Sequence, residues 1–253
     1  MPRFFIASSG VHLDGVSITG ADARHLTRSL RIRAGDIITV VEDFRVEHGV
    51  VVETADARAV TGRIMWSRAA TGEPRLQLHV LQSIPARDTD SAVASLAGIG
   101  CASIRPVITS RTVYRYDRER GEVRVRRWQT IARQAAQLAG RARIPDVHPV
   151  QSLERALDEL ALPCLILACV LEAAATPLHR TAITVDVPVA LVIGPEGGLD
   201  DADLRLLDRA GATRVHVGPR VVPSSSAGLV AATLTLAAAG DLDAAVAPPP
   251  LPT

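Results

Sequence analysis

Short apolar stretches separated by turn residues mark the first part of the chain, up to about residue 70. These stretches are rich in Val and Ile, so they predict β-strands at residues 4–7, 37–42, 49–53 and 60–66. Between the first two strands, residues 21–30 predict one short helix. Residues 1–70 are therefore predicted to form a small β-barrel that carries one helix.

A polar segment, ATGEPR at residues 70–75, contains both Gly and Pro and predicts a domain boundary. After it, apolar stretches alternate with helical patterns. The predicted strands are 76–83, 104–108, 165–171, 190–193 and 214–217, and the predicted helices are 90–99, 127–138, 200–210 and 227–239. This alternation favours a second domain over residues 75–240, an α/β domain with a parallel sheet. Residues 241–253 lose the pattern and gain proline, so we expect a disordered tail.

The composition is that of an ordinary globular protein, with 47% hydrophobic and 22% charged residues and a net charge of +1 over 253 residues. Bulk charge therefore indicates no partner. The distribution of charge is more informative, because residues 105–143 contain eleven arginines against three acidic residues. Such an excess attracts a polyanion, although a solvated charged helix face would give the same pattern.

Several classes of protein are disfavoured. The three cysteines Cys101, Cys164 and Cys169 show neither metal-site spacing nor a disulfide framework, and the histidines are scattered, so we expect no metal. The opening MPRFFIASSG has too short an apolar stretch for a signal peptide, and the apolar run 227–239 is too short to span a bilayer. We therefore expect a cytoplasmic protein with no membrane association.

The segment most informative about chemistry is VIGPEGGL at residues 192–199, where an apolar strand enters a turn with three glycines around Pro and Glu. Glycine lets backbone groups approach a ligand closely, although a purely structural turn is the alternative. The segment matches neither the dinucleotide fingerprint nor the phosphate loop, which disfavours NAD and ATP. A second strand ends in VHVGPR at residues 215–220, and two loops at the carboxyl edge of one parallel sheet indicate a ligand site.

These loops, followed by a Ser-rich segment and an Ala-rich helix, resemble the family of ribosomal RNA uridine-N3 methyltransferases, which belongs to the SPOUT class. Four further segments agree in order and spacing: MPRFF at the start, HLTRSLRIRAGD (25–36), RPVITSRTV (105–113) and RWQTIARQAAQLAGRARIP (127–145). The resemblance covers nearly the whole chain. It implies a PUA-like, RNA-binding β-barrel followed by an α/β SPOUT domain folded as a trefoil knot.

The resemblance also implies a function. We expect a homodimeric enzyme that uses S-adenosyl-L-methionine to methylate N3 of a uridine in 16S ribosomal RNA of the small ribosomal subunit. By position, the implied cofactor contacts are Leu171, Glu172, Gly194, Pro195, Glu196, Gly197, Gly198, Val217, Gly218, Ser224, Ser225, Ser226 and Ala227.

Arginines are the candidates for catalysis and RNA binding. Uridine N3 is a weak nucleophile until it loses its proton, so a cation near O2 or O4 would favour the reactive anion. The hypothesis assigns this role to Arg111, Arg141 or Arg220. The predicted RNA contacts are Arg3, Arg24, Arg28 and Arg31, of which Arg24 and Arg28 lie four residues apart on the predicted short helix.

Some positions depart from the usual family pattern. Residues 223–227 (PSSSA) stand where Arg-Thr-Glu-Thr-Ala is usual, and Ser95 and Gly98 stand where charged residues are usual. In residues 134–141, Gln137 stands where Glu is common. Two alternatives therefore stay open: a related enzyme that methylates a small metabolite, nucleoside or peptide, and a non-catalytic RNA-binding protein.

Overall fold

A computed structural model describes residues 2–113, 118–172 and 174–243 of the chain. The chain divides into two compact units. The first contains Met1–Glu73 together with Gly140–Arg143, and the second contains Pro74–Ala139 and Ile144–Ala245. The inclusion of Gly140–Arg143 in the first unit is not apparent from the sequence pattern, which places the whole of 75–240 in one domain.

The first unit is built on one five-stranded mixed sheet with the order β1-β3-β4-β5-β2. The β1–β3 pair is parallel and the other three pairs are antiparallel. The strands are β1 (Arg3–Ile6), β2 (Gly15–Thr19), β3 (Ile37–Glu42), β4 (Val46–Ala55) and β5 (Ala59–Ala69). The helix is α1 (Gly20–Arg24), which continues as a π-helical turn over His25–Ser29.

One apolar core fills this unit. Phe4 from edge strand β1 and Ile18 from edge strand β2 share it with Leu26 and with Val40 and Val50 from the central strands. Because residues of both edge strands meet in one core, the sheet curls around it, as a small barrel requires. All four predicted strands are present. The strand β2 was not predicted, because only Val16 and Ile18 of its five residues face the core.

The second unit is built on an eight-stranded sheet in which every pair is parallel. The order is β11-β13-β10-β12-β6-β7-β8, with β9 also paired to β7. The strands are β6 (Leu78–Ser83), β7 (Ser103–Ile108), β8 (Asp146–Val147), β9 (Gln151–Ser152), β10 (Leu165–Cys169), β11 (Thr176–Pro177), β12 (Val189–Ile193) and β13 (Thr213–His216). The helices are α2 (Thr89–Ile99), α3 (Arg118–Leu138), α4 (Leu153–Asp158), α5 (Asp201–Arg209) and α6 (Ser224–Ala238).

Helices cover both faces of this sheet, which explains why β10 and β12 are continuously apolar. On β12, Leu191 packs on the face covered by α2, α3 and α6, whereas Val192 packs on the face covered by α4 and α5. Five predicted strands and four predicted helices are present, although α3 begins at Arg118 rather than at residue 127. The strands β8, β9 and β11 were not predicted because they have two residues each, and α4 was not predicted because its six residues do not complete two helical turns.

Two further observations concern the predictions for the ends and for membranes. Asp241–Asp243 form a short 3-10 turn, and the rest of the predicted tail lies outside the described residues. Within the ranges that the structure describes, none of the helices combines the length and the apolar character needed to cross a bilayer.

Candidate functional site

A cleft of about 460 Å³ opens in the second unit where three adjacent strands, β13, β10 and β12, end. The segments that follow these strands form its walls. Eleven of the thirteen predicted cofactor residues line it: Leu171, Glu172, Gly194, Pro195, Glu196, Gly197, Gly198, Val217, Gly218, Ser224 and Ala227. The other two, Ser225 and Ser226, are not among the lining residues. The carboxyl edge of a parallel sheet is where α/β proteins bind ligands.

The glycine-rich turn after β12 is shaped by backbone requirements. Gly198 has φ +71°, a left-handed conformation that favours glycine, and its N–H donates to the carbonyl of Pro195 at 2.9 Å. A Cβ on Gly194 would lie only 3.2 Å from the backbone N of Leu199. The carboxylate of Glu196 accepts a hydrogen bond from Ala86 N–H at 3.0 Å, which ties this turn to the loop after β6.

The start of α6 is joined to the same turn. The hydroxyl of Ser224 donates to the carbonyl of Gly194 at 2.8 Å, and Gln82 Nε2 donates to the carbonyl of Ser224 at 3.3 Å. Gln82 is 3% exposed, and a Cβ on Gly228 would lie 2.4 Å from its Oε1. Sequence reasoning missed Gln82. Its polar side chain within the apolar run of β6 is the signal that could have revealed it.

The opposite wall follows β13. Gly218 has φ +121°, and its N–H donates to His216 Nδ1 at 3.1 Å, so the imidazole is an acceptor at this nitrogen. Glu172 is paired with Arg214 at 3.0 Å, and Arg214 is also paired with Asp208 at 2.8 Å. The hydrogen bonds that Arg214 donates to Asp208 first and to Glu172 second raise the pKa of Arg214. The single positive charge of Arg214 is therefore shared between the carboxylates of Glu172 and Asp208.

Cys169 ends β10 at the floor of the cleft. Burial raises the pKa of its thiol to about 12, so the thiol is protonated and unreactive at neutral pH. Together with Leu171, Ile193 and Val217 it gives the cleft an apolar floor. Among the described residues, no group of His, Cys, Asp or Glu side chains could hold a metal ion.

The structure separates the three candidate catalytic arginines. Arg220 lines the cleft, and Arg111 Nη1 donates to the carbonyl of Gly197 at 2.7 Å. Arg141, by contrast, is 2% exposed, is not among the lining residues and pairs with Glu73 at 2.6 Å. Glu73 also accepts hydrogen bonds from the N–H groups of Ala142 and Arg143, both at 2.9 Å, so this carboxylate fastens Gly140–Arg143 within the first unit.

The predicted RNA contacts also fall into two groups. Arg24, Arg28 and Arg31 are exposed on the first unit, on and just after its helical segment. Arg3 is largely buried and pairs at 2.7 Å with Glu47, a fully buried carboxylate that Arg68 contacts as well. The first three arginines are therefore available to a polyanion, whereas the Arg3 guanidinium neutralises a buried acid.

The arginine excess over residues 105–143 is smaller than the sequence indicates. Arg105 is 8% exposed and pairs with Glu159 at 3.5 Å, Arg127 pairs with Asp90, and Arg141 pairs with Glu73. The exposed arginines in the described part of α3 are Arg120, Arg124, Arg126 and Arg127. Part of the excess is thus structural, and Arg120, Arg124 and Arg126 remain exposed on α3.

The fold and the cleft define a class of protein: a parallel α/β domain of the SPOUT methyltransferase type, preceded by a small curled sheet. A model of the RNA methyltransferase domain matches residues 72–236. The ribosomal RNA small subunit methyltransferase E of Mycobacterium tuberculosis is 30% identical over 229 residues, which cover 85% of this chain and 83% of that protein. The protein of the same name from Bacillus subtilis is 23% identical over 242 residues, 91% and 94% of the two chains. The chain belongs to this RNA methyltransferase family.

Solved structures agree with the fold. The ribosomal RNA small subunit methyltransferase E of Neisseria gonorrhoeae, bound to S-adenosyl methionine, superposes with a TM-score of 0.81 at 24% identity, covering 94% of this chain and 98% of that one. A putative methyltransferase of Legionella pneumophila, also in complex with S-adenosyl methionine, gives 0.78 at 24% identity, covering 94% and 97%. The predicted fold class, a SPOUT α/β domain of the trefoil-knot type preceded along the chain by a small PUA-like barrel, is confirmed.

Proposed function

We propose that this protein uses S-adenosyl-L-methionine to methylate N3 of a uridine in 16S ribosomal RNA of the small ribosomal subunit. The observation that carries the proposal is the cleft after β10, β12 and β13, which brings together eleven of the thirteen residues implied as cofactor contacts. Relatives that match over most of the chain are named as small subunit ribosomal RNA methyltransferases.

The cleft suits this cofactor in size and chemistry. Its volume of about 460 Å³ falls in the range of roughly 300–1,000 Å³ that small-molecule sites occupy. Its floor is apolar and its glycine-rich walls present backbone groups to a ligand, while Glu172, Glu196 and Arg220 are the charged residues that line it. When bound, S-adenosyl-L-methionine supplies an electrophilic methyl group on a sulfonium centre. Two related structures with the same fold are named as holding it.

The residues around the cleft are suited to prepare the nucleophile. Uridine N3 lies on the base-pairing edge, so the base must be unpaired or flipped before it reaches the cleft. N3 reacts after it loses its proton, which leaves negative charge on O2 and O4. Arg111 and Arg220 lie beside the glycine-rich turn and on the cleft wall, respectively. A guanidinium that stabilises such charge contributes on the order of 10²–10³ in kcat.

The exposed arginines of the first unit supply RNA contacts in this proposal. Arg24, Arg28 and Arg31 bind phosphates, and their combined contribution falls as salt concentration rises because counterions are released on binding. We further propose that the protein is a cytoplasmic homodimer, in keeping with ribosomal RNA as the substrate. Light scattering coupled to size-exclusion chromatography tests the dimer.

The decisive experiment uses purified protein, methyl-labelled S-adenosyl-L-methionine and small ribosomal subunits from a strain that lacks the corresponding gene. We expect label in 16S RNA, and mass spectrometry of the digested RNA should identify 3-methyluridine. Failure to bind S-adenosyl compounds at millimolar concentration in calorimetry would overturn the proposal. Binding without any transfer to ribosomal RNA would overturn the substrate assignment.

One observation favours a second candidate, a related enzyme with another substrate. At the start of α6, Pro223 precedes Ser224 with no side-chain capping hydrogen bond, and Ser226 is exposed. The charged Arg and Glu that usually follow the second loop are replaced here. Loss of these side chains leaves the cofactor cleft intact but removes groups that could hold a ribosomal uridine. Methyl transfer to a nucleoside, peptide or metabolite, with none to ribosomal RNA, would favour this candidate over the ribosomal RNA enzyme. The absence of cofactor binding would instead indicate a non-catalytic RNA-binding protein.

A further inference from the structure

Asp203 is a buried carboxylate at the start of α5, and it makes more contacts than a helix cap requires. It is 3% exposed. Its Oδ2 accepts a hydrogen bond from Asp200 N–H at 3.2 Å, while Asp200 Oδ1 accepts from Asp203 N–H at 2.9 Å. These two bonds complete a reciprocal capping box. The box uses one oxygen of the Asp203 carboxylate and leaves the other for a different partner.

That other oxygen faces a distant part of the chain. Asp203 Oδ1 accepts hydrogen bonds from both the N–H and the hydroxyl of Ser110, each at 3.4 Å. Ser110 is the second residue after β7, which ends at Ile108. Burial raises the pKa of Asp203, as expected for a carboxyl group that is 3% exposed.

The turn that Asp203 holds has internal hydrogen bonds of its own. Thr109 N–H donates to Thr112 Oγ1 at 2.9 Å, and Thr112 N–H donates to the carbonyl of Thr109 at 3.1 Å. Both threonine residues are buried, at 6% and 9% exposure. Between them, Arg111 is exposed. The turn is therefore a fixed platform from which one guanidinium projects.

From this platform Arg111 contacts the glycine-rich turn, whose residue Gly197 lines the cofactor cleft, although Arg111 itself is not a lining residue. Its Nη1 donates to the carbonyl of Gly197 at 2.7 Å. The stem of the side chain lies over Gly197, since a Cβ on this glycine would lie 3.3 Å from both Cβ and Cδ of Arg111. A guanidinium has five N–H donors, so a bond to Gly197 fixes its direction without using its capacity to bind an oxyanion.

We propose that Asp203 is a positioning residue for methyl transfer: it fastens the turn after β7 to the start of α5, so that Arg111 is held against the glycine-rich turn. This inference rests on the proposed function and assigns to α5 a role in the reaction. Asp203 acts through Arg111 and does not itself contact the substrate. Catalytic groups must be held within a few tenths of an ångström of the productive geometry, and a long arginine side chain is not so held without support.

The test is a double-mutant cycle on kcat at saturating RNA and cofactor. Asp203→Asn replaces one acceptor oxygen by an NH₂ donor that faces other donors. We expect it to lower kcat about tenfold, with the KM for S-adenosyl-L-methionine changed less than about twofold. In an Arg111→Met background the same substitution should lower kcat by less than about twofold, because the group that it positions is gone. Equal losses in both backgrounds, or no loss in either, would overturn the proposal.

The matched control is Asp201→Asn, which removes the same charge from the same helix end at an exposed position. It should leave kcat unchanged within about twofold, since surface substitutions have small effects. If Asp203→Asn does not fold, Ser110→Ala provides the second variant. It removes one of the two donors, so we expect a smaller fall in kcat that also disappears in the Arg111→Met background.

A readout that is independent of activity separates this inference from the proposed function. Hydrogen exchange followed by mass spectrometry on a peptide covering the turn should be faster in Asp203→Asn than in Asp201→Asn, because the carboxamide keeps a single acceptor oxygen for which the amides of Ser110 and Asp200 compete. Equal exchange in the two variants would overturn the inference even if the wild-type protein methylates RNA. Faster exchange in Asp203→Asn, together with a wild-type protein that does not methylate RNA, would keep Asp203 as the residue that holds the turn and would refute the proposed function instead.

Discussion

The hydroxyl of Ser224 donates a hydrogen bond to the carbonyl oxygen of Gly194 at 2.8 Å, which joins the first residue of α6 to the glycine-rich turn. Ser224→Ala removes this bond inside the cleft wall. We expect the affinity for S-adenosyl-L-methionine to fall about fivefold, corresponding to ~1 kcal/mol for one hydrogen bond. Isothermal titration calorimetry measures the effect. Ser226→Ala is the control, because Ser226 is exposed and is not a lining residue, and equal dissociation constants for the two variants would contradict the prediction.

The two adjacent glycines of the turn should respond differently to alanine. In Gly197→Ala the new Cβ meets the Arg111 side chain at 3.3 Å, so the guanidinium must move and kcat should fall several-fold with cofactor binding retained. In Gly198→Ala the new Cβ meets open space, but φ +71° is strained for alanine, at a cost of ~1–2 kcal/mol. We therefore expect a lower Tm and weaker cofactor binding in Gly198→Ala. Calorimetry, thermal unfolding and steady-state kinetics on both variants distinguish these outcomes, and identical behaviour of the two would refute the argument.

The sequence predicts the regular parts of the fold because burial imposes a pattern on them. β12 is apolar throughout since helices cover both faces of the sheet, and its end is marked by the glycines that the turn needs. The same sequence does not reveal β2, of which only Val16 and Ile18 face the core, or α4, which is less than two helical turns long. The sequence also predicts the residues of the cleft well where backbone groups form its walls, as at Gly194 and Gly198.

Contacts between distant residues are what sequence reasoning could not supply. Nothing near Arg141 or Arg3 in the sequence reveals that their charges are matched by Glu73 and Glu47. Asp203 likewise looks like an ordinary first-turn acid, although its second oxygen reaches Ser110. In each case the partner is more than 40 residues away, and only the folded chain brings the two together.

Substitution of the three candidate catalytic arginines should have different effects, on kcat for two of them and on stability for the third. Arg111→Met and Arg220→Met should each lower kcat about 10²-fold, with little change in Tm, if the guanidinium stabilises negative charge on the base. Arg141→Met should instead lower stability by ~3 kcal/mol or more, because it leaves the Glu73 carboxylate without its buried partner. Kinetics and chemical denaturation on all three measure this. A stable Arg141→Met protein that has lost methyl transfer would restore Arg141 as a catalytic group.

The thiol of Cys169 should resist alkylation in the folded protein. Burial raises the pKa of Cys169 to about 12, so on the order of one molecule in 10⁴ carries the thiolate at pH 8. Iodoacetamide treatment followed by peptide mass spectrometry should therefore modify Cys169 only after denaturation, although the residue lines the cleft. Rapid labelling of Cys169 at pH 8 in the native protein would show that the floor of the cleft is open to water.

Stability should fall as the pH drops below about 6.5, and His79 should be one cause. The pKa of His79 is lowered from 6.5 by burial first and then by the positive charges of Arg105 and His148. The pKa of His148 is likewise lowered by burial and by Arg105. Between the folded-state pKa and 6.5 the unfolded chain binds a proton that the folded protein does not, so the free energy of unfolding rises with pH in this window. Each such group contributes at most ~1.4 kcal/mol per pH unit, and the contribution is complete above the window and lost as pH falls through it. His79→Gln should flatten this dependence in urea titrations between pH 5 and pH 7. The exposed His179→Gln should leave the slope unchanged, and a slope equal to the wild type in His79→Gln would show that His79 takes up its proton equally in both states.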